Sequence, residues 1–278
     1  MGTWERGFNK PGCEAVRDAY DLAPMKVPDF SVKDRVALLT GSARGIGLAI
    51  AQALAASGAK VAIQDIDLDV AQAEAAAINA AGGKAIALGG DGTDLTLAER
   101  WVDETVSQLG GLHILVNNLG IQMHADFLTF PVEEMQRQAT CNLILPALLC
   151  QLAIPHMQAA KWGRVLNIGS VQGNGGNLGM GVYAMTKAAL ENLTKGLARK
   201  FARDGVTANC IAPGWFDTLR NIKDFPNEAV AREKGRHIPL GRVGQPADCA
   251  GLAVLLCSPA GEYITGQTIY VDGGITTS

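Results

Sequence analysis

The stretch Val36-Ala37-Leu38-Leu39-Thr40-Gly41-Ser42-Ala43-Arg44-Gly45-Ile46-Gly47 decides the fold of this 278-residue chain. Four consecutive apolar residues predict a short buried strand. The glycines, spaced G-x-x-x-G-x-G, predict a tight turn that runs into an Ala-rich helix reaching about Ser57. Strand, glycine turn and helix in immediate succession make a cradle for phosphate, because the first N–H groups of a helix have no partner within it. Gly41 permits the turn, Gly45 lets backbone approach a pyrophosphate, and Gly47 lets helix and strand pack closely. Ser42, Arg44 and Ile46 are the further candidate contacts of this turn. The next strand, Lys60 to Gln64, ends at Asp65, eighteen residues past Gly47. A carboxylate there accepts hydrogen bonds from ribose hydroxyls and repels a 2′-phosphate, which argues for NAD over NADP. Arg44 argues the other way, since a cation in the turn can pair with a 2′-phosphate. Asp65 weighs more, because it stands where the ribose must lie.

Outward from this turn the alternation continues. Helix is predicted over 68–81, strand over 84–88, helix over 95–109 and strand over 113–116, with the turn Asn117-Asn118-Leu119-Gly120 after it. A long helix follows from about Pro131 to Gln158, kinked if Pro146 lies inside it. Strand 164–168, helix 181–203, strand 206–211, a variable region from Trp215 to about Arg242, helix 246–257 and strand 268–271 complete the rhythm. Seven strands alternating with helices predict an α/β fold: a single-domain, Rossmann-type, doubly wound parallel sheet flanked by helices, spanning 32–278. Right-handed crossovers place every strand C-terminus on one edge, where a ligand binds. Residues 1–31 mix glycine, proline and charge without periodicity. They read as a mobile arm, or as one that packs across a partner through Trp4, Phe8 or Tyr20.

The net charge of −3 is scattered, with no basic run, which argues against nucleic acid as a partner. No stretch of about 18 apolar residues and no basic-then-apolar leader is found, so neither a membrane span nor a signal is expected, and the cytoplasm is the expected compartment. Six cysteines without a C-x-x-C pair read as buried reduced thiols, and four dispersed histidines offer no metal-ligand spacing.

On the predicted helix from Gly181, Tyr183 and Lys187 are four apart and share a face. A fixed cation favours a phenolate and draws its pKa down from about 10. A shift of about three units needs roughly 4 kcal/mol, more than one solvent-screened lysine supplies. A second positive charge, such as an oxidised nicotinamide ring, is expected beside the pair, which then serves as general acid and base. Tyr and Lys four apart also occur by chance, so the surrounding residues must decide.

They do. The chain from about Phe30 to Ser278 resembles the short-chain dehydrogenase/reductase family. Thr40 to Gly47 matches its T-G-x-x-x-G-x-G turn, Asn117 to Gly120 its N-N-A-G, and Pro213-Gly214 and Val271-Asp272-Gly273-Gly274 its later motifs. Ser170, thirteen residues before Tyr183, fits the catalytic serine, and Asn142 in the long helix fits the asparagine that completes a tetrad with Tyr183 and Lys187. The resemblance implies that Tyr183 exchanges the proton, Lys187 tunes it and holds the nicotinamide ribose, and Ser170 steadies the substrate oxygen. Asn142 would position a water in a proton relay. It further implies adenine contact at Asp91-Gly92, cofactor contacts at Asn118, Pro213, Gly214 and Thr218, and a homotetramer paired through the long helix and the Tyr183 helix. Leu119, where the family has a small alanine, is the departure. The strings Asn117 to Gln122 and Ile211 to Phe216 resemble the gluconate 5-dehydrogenase and sugar-dehydrogenase branch, in which Gln122, His124, Gln172 and Phe216 would meet a small polyhydroxylated substrate. The region from Trp215 also carries Phe225, Arg220, Arg232, Lys234 and Arg236, cations that either take a sugar-acid carboxylate or simply face solvent. The alternatives are an NADPH-dependent 3-oxoacyl-thioester reductase and a non-catalytic dinucleotide-binding protein.

Overall fold

Val36–Thr40 forms β1, every residue of it buried, and the chain turns straight into helix α1 (Gly45–Ala56). The structure is a computed structural model that describes residues 27–218, 221 and 227–277. Trp4, Phe8 and Tyr20 of the expected arm, and Arg220 and Phe225, lie outside the described residues. The alternation then reads β2 (Lys60–Asp65), α2 (Leu68–Ala80), β3 (Lys84–Gly89), α3 (Leu97–Leu109) and β4 (Ile114–Asn117). After β4 come α4 (Val132–Ala139), a π-helical turn (Thr140–Ile144), α5 (Leu145–Ala159), β5 (Gly163–Ile168), α6 (Gly181–Phe201) and β6 (Val206–Pro213). The last elements are α7 (Glu228–Gly235), α8 (Ala250–Cys257) and β7 (Thr268–Val271).

The strands form one seven-stranded sheet in the order β3-β2-β1-β4-β5-β6-β7, parallel at every pairing. Strand order reverses between β1 and β4, so a crevice opens there at the C-terminal ends of the strands. The two-residue period of a strand divides the core into two layers. Ala37 and Leu39 pack with Ile50 and Leu54 of α1, Ala71 and Ile78 of α2 and Leu256 of α8. Val36 and Leu38 pack on the other face with Trp101 of α3, Leu149 and Met157 of α5 and Leu197 of α6. The sheet is therefore covered on both sides, as its mostly buried strands require.

The long helix differs from its expected form. It runs from Val132 to Ala159, with the π turn and not a simple proline kink at its middle. Pro146 sits in the first turn of α5 and has no N–H to return to Asn142, while the Leu145 N–H bonds five residues back to Thr140. By length and composition this run would pass for a membrane span, although half of its apolar window is buried inside the protein. It packs against α3 and the sheet as a core helix. Helix α7, inside the variable region, was not foreseen. It is a short surface helix, capped by Asn227 accepting from the Val230 N–H at 3.0 Å, and too short for an apolar period to show.

Burial pushes the thiols of Cys150, Cys210, Cys249 and Cys257 up to about 12. Since the thiolate is the nucleophile, these four should stay silent to Ellman's reagent at pH 8 and react only after denaturant is added. Prompt labelling of any of them in the native protein would contradict the packing described.

Candidate active site

Gly41 and Gly45 carry φ of 57° and 58°, the left-handed conformation that only glycine adopts without strain. Side chains from both neighbouring strands hold this turn. Gln64, fully buried at the end of β2, accepts from the Gly41 N–H at 3.1 Å and donates to the Gly90 carbonyl at 2.8 Å. Asp65 accepts from the Ala43 N–H at 3.1 Å and from the Asp67 N–H at 3.2 Å. From β4, Asn118 Nδ2 donates to the carbonyls of Thr40 at 3.0 Å and Gly41 at 2.6 Å. The Thr40 hydroxyl accepts from the N–H groups of Asn118 and Leu119. Ser42 turns inward, fully buried, and donates to the Leu39 carbonyl at 2.8 Å. A Cβ on Gly47 would come within 3 Å of Asn118 Nδ2 and the Gly41 carbonyl, so helix and turn pack as closely as a glycine allows.

Arg44, at the N-cap of α1, places no side chain on the helix N-terminus, so the first-turn N–H groups are left open to an anion. A glycine cradle with an uncapped helix above it fits a dinucleotide pyrophosphate. The Arg44 guanidinium lies against Asp67, Nη2 to Oδ2 at 2.6 Å, with both side chains about two-fifths exposed. The hydrogen bond to Asp67 raises the Arg44 pKa, and the same bond holds the Asp67 carboxyl below its usual range.

The second cluster stands over the ends of β4 and β5. Lys187 is only 2% exposed, a burial that a lysine tolerates only with partners. Its ammonium donates to the Ile168 carbonyl at 2.7 Å and lies 5.6 Å from the centre of the Tyr183 ring, one helical turn back on α6. Ser170 lies two residues past the end of β5, and its hydroxyl accepts from the Gln172 N–H at 3.2 Å. Asn142, on the π turn and fully buried, accepts from the Ile121 N–H at 2.8 Å and donates to the Ile121 carbonyl at 2.9 Å and the Thr186 hydroxyl at 3.2 Å. It thereby fixes the segment after β4. A Cβ on Gly120 would lie 3.3 Å from Lys187 Nζ and 3.4 Å from Asn142 Oδ1, so that glycine keeps the two groups near each other.

A cavity of about 460 Å³ joins the two clusters. Its lining includes Gly41, Arg44, Gly45, Ile46 and Asn118 of the first cluster and Ser170, Tyr183 and Lys187 of the second, with Pro213, Gly214 and Thr218, the last beside Gly45. Gln122, His124, Gln172 and Phe216 also reach it. Ser42, Gly47, Asp65, Asp91, Gly92 and Asn142 stand outside this lining. Ser42, Gly47 and Asn142 support the wall from behind, whereas Asp91 is exposed beyond β3 and accepts from the Thr93 N–H at 2.9 Å. Asn177, Met180 and Asn221 were missed because they enter from loops whose sequence carries no periodic signal. Gln64 was missed as a functional support, although a polar residue inside an apolar strand was the available sign.

The geometry is that of a dinucleotide-dependent oxidoreductase, and the comparisons agree. The family model described as Enoyl-(Acyl carrier protein) reductase matches residues 41–276. The 3-oxoacyl-[acyl-carrier-protein] reductase FabG of Aquifex aeolicus is 36% identical over 253 residues, 89% of this chain and 99% of the relative. Sorbitol dehydrogenase of Cereibacter sphaeroides is 36% identical over 250 residues, 86% of this chain and 96% of the relative. The structure of a gluconate 5-dehydrogenase from Burkholderia cenocepacia, in complex with NADP and tartrate, is similar with a TM-score of 0.84 at 35% identity, covering 90% of this chain and 98% of that one. The chain belongs to the short-chain dehydrogenase/reductase family, oxidoreductases that act on CH–OH or keto groups with NAD or NADP.

Gln64→Leu keeps the bulk of the side chain but strips the Gly41 N–H and the Gly90 carbonyl of their partners. Each buried group so orphaned costs about 1–3 kcal/mol. Urea unfolding should show the loss, and dinucleotide titration should show weaker binding through the loosened turn. Unchanged stability would mean that the turn holds itself.

Proposed function

We propose that this enzyme oxidises a secondary alcohol of a polyhydroxylated sugar acid, with NAD as hydride acceptor. The observation that carries the proposal is the composition of the cavity wall. Ser170, Tyr183 and Lys187 stand at one end, the amides of Gln122, Gln172, Asn177 and Asn221 lie around it, and Lys234 joins them from α7. None of the described residues that line this cavity is acidic. Amides suit hydroxyl groups, and a wall whose described residues include cations suits an anionic substrate. Arg232, also noted in the variable region, pairs with Glu228 on the exposed face of α7. The Burkholderia relative's complex holds tartrate, itself a hydroxylated acid.

In this reading Tyr183 takes the proton of the substrate hydroxyl. The buried Lys187 ammonium favours the phenolate, and the low-dielectric surroundings strengthen that effect. Ser170 donates a hydrogen bond to the substrate oxygen as charge develops on it. Asn142 keeps a second lone pair of Oδ1 near Lys187, where a water can carry the proton outward. The nicotinamide supplies the hydride acceptor, a chemistry that belongs to the cofactor. NAD is favoured over NADP because Asp65 and Asp67 both stand at the ribose end, and Arg44, the cation suited to a 2′-phosphate, is already paired with Asp67. The protein then assembles as a homotetramer through the long helix from Val132 to Ala159 and α6, whose Ile144 and Met185 are exposed on the single chain. Light scattering that returned a monomer would remove this part.

The decisive measurement is initial rates with NAD⁺ and NADP⁺ across aldonates, polyols and aldoses. NAD⁺-linked oxidation of aldonates ahead of neutral polyols is expected, with Tyr183→Phe slowing turnover by about 10²–10⁴-fold while cofactor affinity persists. Asp67→Asn should raise the preference for NADP⁺ by freeing Arg44. A silent panel together with NADPH-linked reduction of a 3-oxoacyl thioester would overturn the sugar-acid reading.

A further inference from the structure

Leu119 stands where β4 ends, its N–H on the Thr40 hydroxyl at 3.2 Å. A Cβ built on Gly41 would lie 2.9 Å from Leu119 Cα and 3.1 Å from its Cβ, so the first glycine of the turn abuts this residue. On its other side, a Cβ built on Gly92 would lie 2.9 Å from Leu119 Cδ1, 3.2 Å from Cδ2 and 3.0 Å from Leu145 Cδ2. Gly92 is not among the glycines with positive φ, so its backbone does not call for glycine. The space does. The isobutyl group of Leu119 occupies the place that a side chain at residue 92 would need.

The placement within the crevice gives this contact a direction. Gly92 follows β3, on the same side of β1 as Asp65, whereas Lys187 and Tyr183 lie toward β5. Leu119 faces the first side, and its successor Gly120 faces the second through Lys187 and Asn142. The neighbouring Asn118 lines the cavity, and Leu119 is itself only half-buried.

We propose that Leu119 and Gly92 are a size-matched pair that shapes the adenosine half of the dinucleotide site, with Leu119 as a cofactor-positioning residue. Leu119, half-buried as a residue and just outside the cavity lining, is the apolar wall against which the adenosine is seated, and the absent side chain at Gly92 makes room for it. The pair explains how the β4 turn accommodates a leucine where N-N-A-G has alanine: bulk gained at 119 is balanced by bulk missing at 92. This inference rests on the dinucleotide occupying the crevice, and not on the choice between NAD and NADP.

Calorimetric titration of the apoprotein with the intact dinucleotide, with ADP-ribose and with nicotinamide mononucleotide tests it, alongside thermal melting. Leu119→Ala should weaken the dinucleotide and ADP-ribose alike by about three- to ten-fold, the loss of part of one aliphatic contact, and leave the mononucleotide unchanged. Gly92→Val should weaken ADP-ribose by at least about ten-fold, because its methyls meet Leu119. The double variant Gly92→Val/Leu119→Ala should recover to within about three-fold of the parent, a coupling that independent sites do not show. If Gly92→Val does not fold, Gly92→Ala alone and with Leu119→Ala supplies the same cycle. Additive effects, or a Leu119→Ala protein that melts lower but binds ADP-ribose as before, would reduce Leu119 to a packing residue and overturn the proposal. Should the parent bind NADP⁺ and not NAD⁺, the NAD preference falls, and 2′-phospho-ADP-ribose replaces ADP-ribose in the same cycle.

Discussion

The structure depends on the clamp around the glycine turn. Two glycines in the left-handed region cost conformational entropy on folding and make few contacts of their own, so nothing intrinsic keeps residues 41–45 in one shape. The shape is imposed from the flanks: Gln64 and Asp65 reach in from β2, and Thr40 and Asn118 bind β1 to β4. These bonds are made at the point where strand order reverses, so the same groups that close the sheet's central seam also aim the N-terminus of α1 into the crevice. A site built this way is preorganised for an anion, because the open N–H groups are fixed before the anion arrives.

The catalytic end obeys a related constraint. A lysine that is 2% exposed needs its charge compensated, and the Ile168 carbonyl at 2.7 Å is one of the groups that hold it. The ammonium is thus held in a place where its field acts on Tyr183 with little water to screen it. What permits the burial is the absence of bulk at Gly120 and the position of Asn142. The latter comes from the π turn, because widening the helix by one residue per turn changes the direction in which the residues at 140–144 project. Pro146 keeps the helix from closing normally there. A residue that looks like a defect in the long helix therefore belongs to the geometry of the site.

The sequence made legible what depends on backbone geometry and local spacing. Glycines needed for a positive φ, an acid at a strand end, and a Tyr and Lys one turn apart all declare themselves within a few residues of one another. Alternating strands and helices gave the layers. What the sequence hid depends on contacts between distant segments. Gln64 looked like the last residue of a strand, and only the pairing of β1 with β2 and of β2 with β3 reveals that it bridges two loops. Pro146 suggested a kink, since its missing N–H is visible but the compensating bond from Leu145 to Thr140 is not. Leu119 read as a departure from the family pattern because its neighbour Gly92 follows β3, with β2 and β1 between it and β4, at a separation that no local pattern encodes.

Asp65 has a fuller structural role than its spacing suggests. Its carboxylate is not a loose acceptor waiting for a ribose, because both oxygens already take backbone N–H groups. Each oxygen retains a second lone pair, so ribose hydroxyls can still be accepted, but the carboxylate cannot swing aside to admit a phosphate without releasing the glycine turn. The Arg44–Asp67 pair is different. It is exposed, and such pairs are worth about 0–1 kcal/mol, so a phosphate could compete for Arg44 at small cost. Freeing Arg44 in that way would leave Asp67 without that partner beside the incoming charge. Asp65 differs from the exposed pair in that it also holds the glycine turn, so moving its carboxylate would disturb the phosphate cradle itself.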